Sequence, residues 1–355
     1  MQKENLEFID EAIHSGFCTH IYLESGFLDD ENPAFRFFRG QDERRSVFDL
    51  ASMTKALVTA PLAYASWLDT KTRCADFNHV FLNGFSKEFR NTYKNLSLEA
   101  LLSHQSGLPG WLNFWLGRLN PQAQNQMLYS DRLDTIQKVI ERTAYIWASP
   151  LREECYSDVG FILLGLALEH EHNQDLSDIF SSLISTQGMK SKIKVNEQFC
   201  FPASMQYSRQ NYITSAFCPI RDRWLKGEVH DENCAALGGA SGHAGLFGSG
   251  PRVSAYLKSL YASDLGHRFF EENEARRVTS KGLLGLRPGD DKASGRFCGG
   301  YALGHWGFTG TGFWVHVPSK RYAIVLTNRV ISGRVSSKIM PFRAKALSYL
   351  NETLI

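Results

Sequence analysis

Strand-like runs occur near the two ends of this 355-residue chain, and the long stretch between them, from about residue 86 to 220, has helical periodicity. THIYLES and AFRFFRG flank the turn-like GFLDDENP, and FWVHVP and RYAIVLTNRV flank Pro318-Ser319-Lys320; each pair reads as a hairpin. Residues 3–14 form an amphipathic pattern closed by Gly16, and SSKIMPFRAKALSYLNETL closes the chain as a helix. Two hairpins far apart in sequence can each cover their edges by joining one antiparallel sheet, which the terminal helices then flank. The expected class is α+β: an antiparallel sheet between helices, as an α/β/α sandwich, with a mainly helical second domain. The expected boundaries are 1–85 and 223–355 for the two parts of the sandwich and 86–222 for the helical domain.

With 43% hydrophobic residues the chain can bury a large core, and 39 Lys+Arg against 37 Asp+Glu leave it nearly neutral. That balance gives no general attraction to nucleic acid or anionic membrane. No run of about 18 apolar residues occurs, so no membrane span is expected. The seven cysteines are scattered and odd in number, which reads as reduced thiols. MQKENLEFIDEAIHSGF lacks the apolar core of a signal peptide, and the expected location is cytoplasmic.

Chemistry concentrates at Ser52-Met53-Thr54-Lys55, which opens the apolar pattern continuing to Asp69. Residues three apart share a helix face, so Lys55 would stand beside the Ser52 hydroxyl. A desolvated lysine has a lowered pKa and can take that proton. Ser191-Lys192-Ile193-Lys194 has the same spacing but lies in a polar, lysine-rich loop. The plainer reading of Ser52 is a helix N-cap. Pro61 should kink the helix or end it early. Tyr156-Ser157-Asp158 precedes the apolar run VGFILLGLAL, and His305-Trp306-Gly307 precedes FWVHV. A phenol near a lysine can deliver a proton to a leaving group.

This order of motifs resembles the serine β-lactamase and penicillin-binding-protein superfamily, most of all its class C-like branch with D,D-peptidase and esterase relatives. LLSHQSGLPG (101–110), GEVHDENCAALGGASGHAGLFGS (227–249) and GFTGTGFWVHVP (307–318) fit the same branch. The resemblance implies Ser52 as acylated nucleophile, Lys55 as its base and Tyr156 as proton shuttle. It implies an oxyanion hole of the Ser52 and Phe308 N–H groups, and substrate contacts at Asp158, His305, Trp306 and Gly307. His243 is a pocket candidate, although a histidine fixing its glycine-rich loop is an equal reading.

Three departures bear on substrate. His305 stands where the branch usually has Lys, Trp306 where it has Thr, and Asp158 where β-lactamases have Asn. A histidine would attract a substrate carboxylate only when protonated, so that attraction should fade over roughly pH 6–8. The expected activity is acyl-enzyme hydrolysis of a small ester or a peptidoglycan-type D-amino-acid peptide, with a small molecule or peptide as partner and neither cofactor nor metal. The alternatives are a β-lactamase and a non-catalytic penicillin- or peptide-binding protein.

Overall fold

A computed structural model describes residues 6–43, 46–69, 96–115, 132–147, 155–186, 199–201, 209–279, 281–289 and 297–355. Ser191-Lys192-Ile193-Lys194 and the 85/86 boundary lie outside the described residues.

The ends of the chain do build one sheet. Six antiparallel strands run in the order β2-β1-β11-β10-β9-β8. They are β1 (Ile21–Phe27), β2 (Phe35–Arg39), β8 (Arg287–Pro288), β9 (Leu303–Trp306), β10 (Gly312–His316) and β11 (Arg321–Thr327). Leu23 pairs with Val325 on one side and Phe37 on the other, so β1 joins the first hairpin to the last. Side chains alternate across a strand, and here both faces are covered. Ile21, Leu23, Trp314, Ala323 and Val325 pack with Phe342, Leu347 and Leu350 of the helix Ile339–Glu352. Tyr22, Phe313, Val315, Tyr322 and Ile324 face a larger core that includes Leu57, Phe161 and Leu257. The fold is therefore of the expected class, mixed α+β with an antiparallel sheet and a helical region.

Smaller strands pin the site. The strands β3 (Val47–Asp49) and β4 (Phe199–Cys200) both pair with β7 (Phe247–Ser249). The strands β5 (Thr214–Cys218) and β6 (Arg223–Lys226) form a hairpin, so a division at 222/223 would run through its turn.

Pro61 does not end the helix early, because it sits one residue into a regular segment that follows a wider turn. Lys55–Thr59 is a π-helical turn, and regular helix follows over Ala60–Asp69. Proline cannot donate to the carbonyl four residues back. That carbonyl, Leu57 O, accepts instead from the Tyr256 hydroxyl at 2.6 Å. Pro341 lies in the first turn of its helix, where its missing N–H costs nothing. Among the described residues no helix is long and apolar enough to cross a membrane.

Candidate active site

β3 runs into a tight turn that presents Ser52. Ala51 adopts a left-handed backbone, φ +47°, a conformation that costs a non-glycine residue about 1 kcal/mol. Asp49 holds it there: Oδ1 accepts the Ala51 N–H at 2.8 Å, and Oδ2 accepts the His230 N–H at 2.7 Å. Burial pushes the Asp49 carboxyl up to about 6, although these two N–H groups oppose the shift.

Ser52 is partly exposed and Lys55 fully buried. Lys55 Nζ donates to Ser52 Oγ at 2.8 Å and to His243 O at 3.1 Å, and lies 2.6 Å from Asp158 Oδ1. Two hydrogen-bond acceptors and an ion-pair partner thus surround the ammonium, with the Tyr156 phenol beside it. The expected lowering of the Lys55 pKa is therefore wrong in sign. Burial lowers it, but the Asp158 carboxylate and the Tyr156 phenol outweigh burial and hold it above the ordinary value.

Asp158 is the first residue of the helix Asp158–His172, and Ser157 is its N-cap, accepting the Gly160 N–H at 3.0 Å and donating to Pro109 O at 2.8 Å. His104 packs its ring 4.5 Å from that of Tyr156 and accepts the Ser157 N–H at 3.0 Å, so it holds a turn. The Tyr156 pKa is raised, by burial first, with the Lys55 charge pulling the other way.

His305 ends this chain of contacts. Its Nδ1 lies 2.8 Å from Trp306 O, a pure acceptor, so Nδ1 carries the proton. Nε2 is then a lone pair, 3.5 Å from the Tyr156 hydroxyl. Burial, the Lys55 charge and those of Arg287 and Arg343 drive the His305 pKa down to about 3 against its bond to Trp306 O. The expected protonated carboxylate contact is thus corrected: near neutral pH His305 is an uncharged acceptor facing a phenol.

Gly307 also answers a packing demand that its motif does not show. A Cβ there would lie 2.2 Å from Thr311 Oγ1 and 2.5 Å from Leu50 O, so its bareness lets the turn close on Leu50, just after β3. His243 is buried behind the wall: Nε2 is 2.8 Å from Asp231 Oδ1 and Nδ1 is 3.0 Å from Ser241 Oγ. It fixes its loop, and of its atoms the carbonyl oxygen serves Lys55.

Ser52, Tyr156, Asp158, His305, Trp306, Gly307 and Phe308 all line one cavity of about 560 Å³. Sequence reading passed over Trp111, Asp231 and four arginines on the same wall, Arg287, Arg329, Arg334 and Arg343. None of these arginines belongs to a local motif. Burial and the Arg329 charge lower the Arg343 pKa to about 9, so it stays charged at neutral pH.

Ser52 and Tyr156 thus line one cavity with the buried Lys55 against both, and comparison with known proteins agrees with the fold. A class C β-lactamase superposes with TM-score 0.61 at 13% identity, covering 97% of this chain and 94% of that one. A D-amino acid amidase from Ochrobactrum anthropi gives 0.62 at 11% identity, covering 98% of each. The β-lactamase family profile matches residues 37–346, and the chain belongs to that family. It is 27% identical over 75% of its length to an "N-acetylmuramyl-L-alanine amidase" of Bacillus subtilis, spanning 64% of that relative. It is 25% identical over 61% of its length to a "Putative D-alanyl-D-alanine carboxypeptidase" of Escherichia coli K12, spanning 50% of it.

Proposed function

We propose that the chain is a serine hydrolase that cleaves an ester or amide bond, of a small ester or a peptidoglycan-type D-amino-acid peptide, through an acyl-enzyme on Ser52. The observation that carries this reading is the Lys55 Nζ to Ser52 Oγ contact of 2.8 Å, made by a buried lysine that also meets a carboxylate. Ser52 Oγ attacks the carbonyl carbon, and its proton passes to Lys55 Nζ as Lys55 yields one to Asp158 Oδ1. The oxyanion lies between the N–H groups of Ser52 and Phe308. Tyr156 then gives its phenolic proton to the leaving group and recovers one from Lys55, which Asp158 restores. The net transfer is from the serine to the leaving group, and water releases the acyl group by the same sequence in reverse.

Support for a D-amino-acid peptide comes from the names of the relatives and the amidase. Asp158 cannot donate the amide N–H bond of an asparagine, and uncharged His305 cannot replace a lysine, which argues against efficient β-lactam hydrolysis. A panel of p-nitrophenyl esters, D-Ala-D-Ala peptides and nitrocefin, with Ser52→Ala as control, tests the reading. Esters or peptides should be turned over with higher kcat/KM than nitrocefin. Faster nitrocefin hydrolysis would instead establish a β-lactamase, and binding without turnover of any substrate would establish a non-catalytic protein.

A further inference from the structure

Trp306, the bulkiest departure from the family motif, has a partner that no motif announces. The guanidinium of Arg343, on the helix Ile339–Glu352, lies 4.1 Å over the Trp306 ring. This is a cation–π seat. Gly312 makes room for it, since a Cβ there would fall 2.1 Å from the Trp306 ring. From that seat Arg343 Nη2 donates to Gly307 O at 2.9 Å, and the Gly310 N–H reaches the same oxygen at 3.1 Å.

The Gly307 carbonyl and the Phe308 N–H are two ends of one planar peptide unit. A hydrogen bond on the oxygen draws electron density toward it and strengthens the N–H as a donor. A charged donor does so roughly twice as strongly as a neutral one. Among the described residues no carboxylate lies within ion-pair distance of Arg343 to absorb its charge. The Ala51–Ser52 peptide is held in the matching way: Ala51 O accepts from Thr54 Oγ1 at 2.7 Å and from the Thr54 N–H at 3.0 Å. Each of the two N–H groups assigned to the oxyanion is therefore braced at its carbonyl end, one by a neutral hydroxyl and the other by a cation.

We infer that Arg343 is a positioning residue for acyl transfer, fixing and polarising the Gly307–Phe308 peptide, and that Trp306 is the platform that seats it. The inference rests on the proposed reading of the Phe308 N–H as an oxyanion donor. It places the effect of Arg343 in the transition state, so binding of a neutral substrate should be untouched.

The test uses the full chain with p-nitrophenyl acetate and butyrate, which carry no anionic group. Arg343→Gln should lower kcat by about 10- to 100-fold, less than deletion of an oxyanion donor, with KM within about twofold. Trp306→Phe should lower it less, and guanidinium chloride, against sodium chloride at equal concentration, should partly restore Arg343→Ala. Should the glutamine variant not fold, Arg343→Lys carries the same expectation of reduced kcat at constant KM. Unchanged kcat in these variants, or a loss confined to KM or to carboxylate-bearing esters, overturns the inference while leaving the hydrolase reading in place. A wild-type chain that neither hydrolyses the esters nor takes a fluorophosphonate on Ser52 overturns both.

Discussion

Two carboxylates in this molecule have nearly the same company and opposite surroundings, one sealed in the core and one at a cavity wall. Glu24, on β1, is fully buried; its Oε2 accepts from the Tyr22 hydroxyl and from Arg36 Nε, and its Oε1 accepts from the Tyr322 hydroxyl at 2.5 Å. Asp158 has a lysine and stands near a phenol, but it opens on a cavity and its lysine is shared with Ser52. At Glu24 burial and then the carboxylate itself push both tyrosine phenols far up, so no proton leaves them. At Tyr156 burial also raises the pKa, but the Lys55 charge works against it. The ingredients alone do not decide. A sealed set of acid, cation and phenols is a cross-tie; the same set beside a nucleophile and a cavity can relay a proton.

The sharpest way to break that comparison is to remove one phenol from each cluster. Tyr156→Phe should lower kcat on p-nitrophenyl esters by about 10²- to 10⁴-fold with little change in thermal midpoint. Tyr322→Phe should leave kcat unchanged and cost about 1–3 kcal/mol in urea unfolding, because a buried acceptor loses its donor. Equal activity losses in the two variants would erase the distinction.

Removing the sealed carboxylate should act on stability alone. Glu24→Ala strands two phenols and a cation, and about 3–5 kcal/mol of unfolding free energy should be lost. The folded fraction should keep wild-type kcat; a fall in kcat per folded molecule would tie Glu24 to the chemistry.

Acid should separate His305 from both clusters. Its folded pKa of about 3 lies below the unfolded value near ~6.5. The unfolded chain therefore takes up a proton first, so this contribution to stability is complete above ~6.5 and lost as pH falls toward 3. Between pH 6 and 4 wild type should lose about 1 kcal/mol per unit more than His305→Gln in urea unfolding. Parallel stability curves would show that His305 is not held neutral. From pH 6 to 8, KM for carboxylate-bearing esters should show no inflection from His305.

The smallest effect is expected at Ser157, which sits between two cavity residues and whose hydroxyl caps a helix and ties Pro109 O. Ser157→Ala should cost about 1 kcal/mol in thermal unfolding and leave kcat within about threefold. A larger loss of activity would place its hydroxyl in the reaction.

Ser52, Lys55 and Tyr156 were legible because helix spacing and motif order are local properties of a chain. The terminal hairpins were legible for the same reason, as long alternating runs beside turn residues. The charge state of Lys55 was not: burial was foreseen, but the carboxylate that overrides it arrives from another helix. Arg343 was invisible, since it meets Gly307 only after the last helix packs on the sheet. β3, β4 and β7 are two or three residues long, too short to carry a period. The π turn before Pro61 depends on Tyr256, remote in sequence, to take the freed carbonyl.

The central claim is that Ser52 is the one activated hydroxyl, and covalent labelling reads it directly. A fluorophosphonate probe followed by intact-protein and peptide mass spectrometry should show one adduct, on Ser52, absent in Ser52→Ala. An adduct on Ser191, or undiminished labelling of the Ser52→Ala chain, would contradict the account.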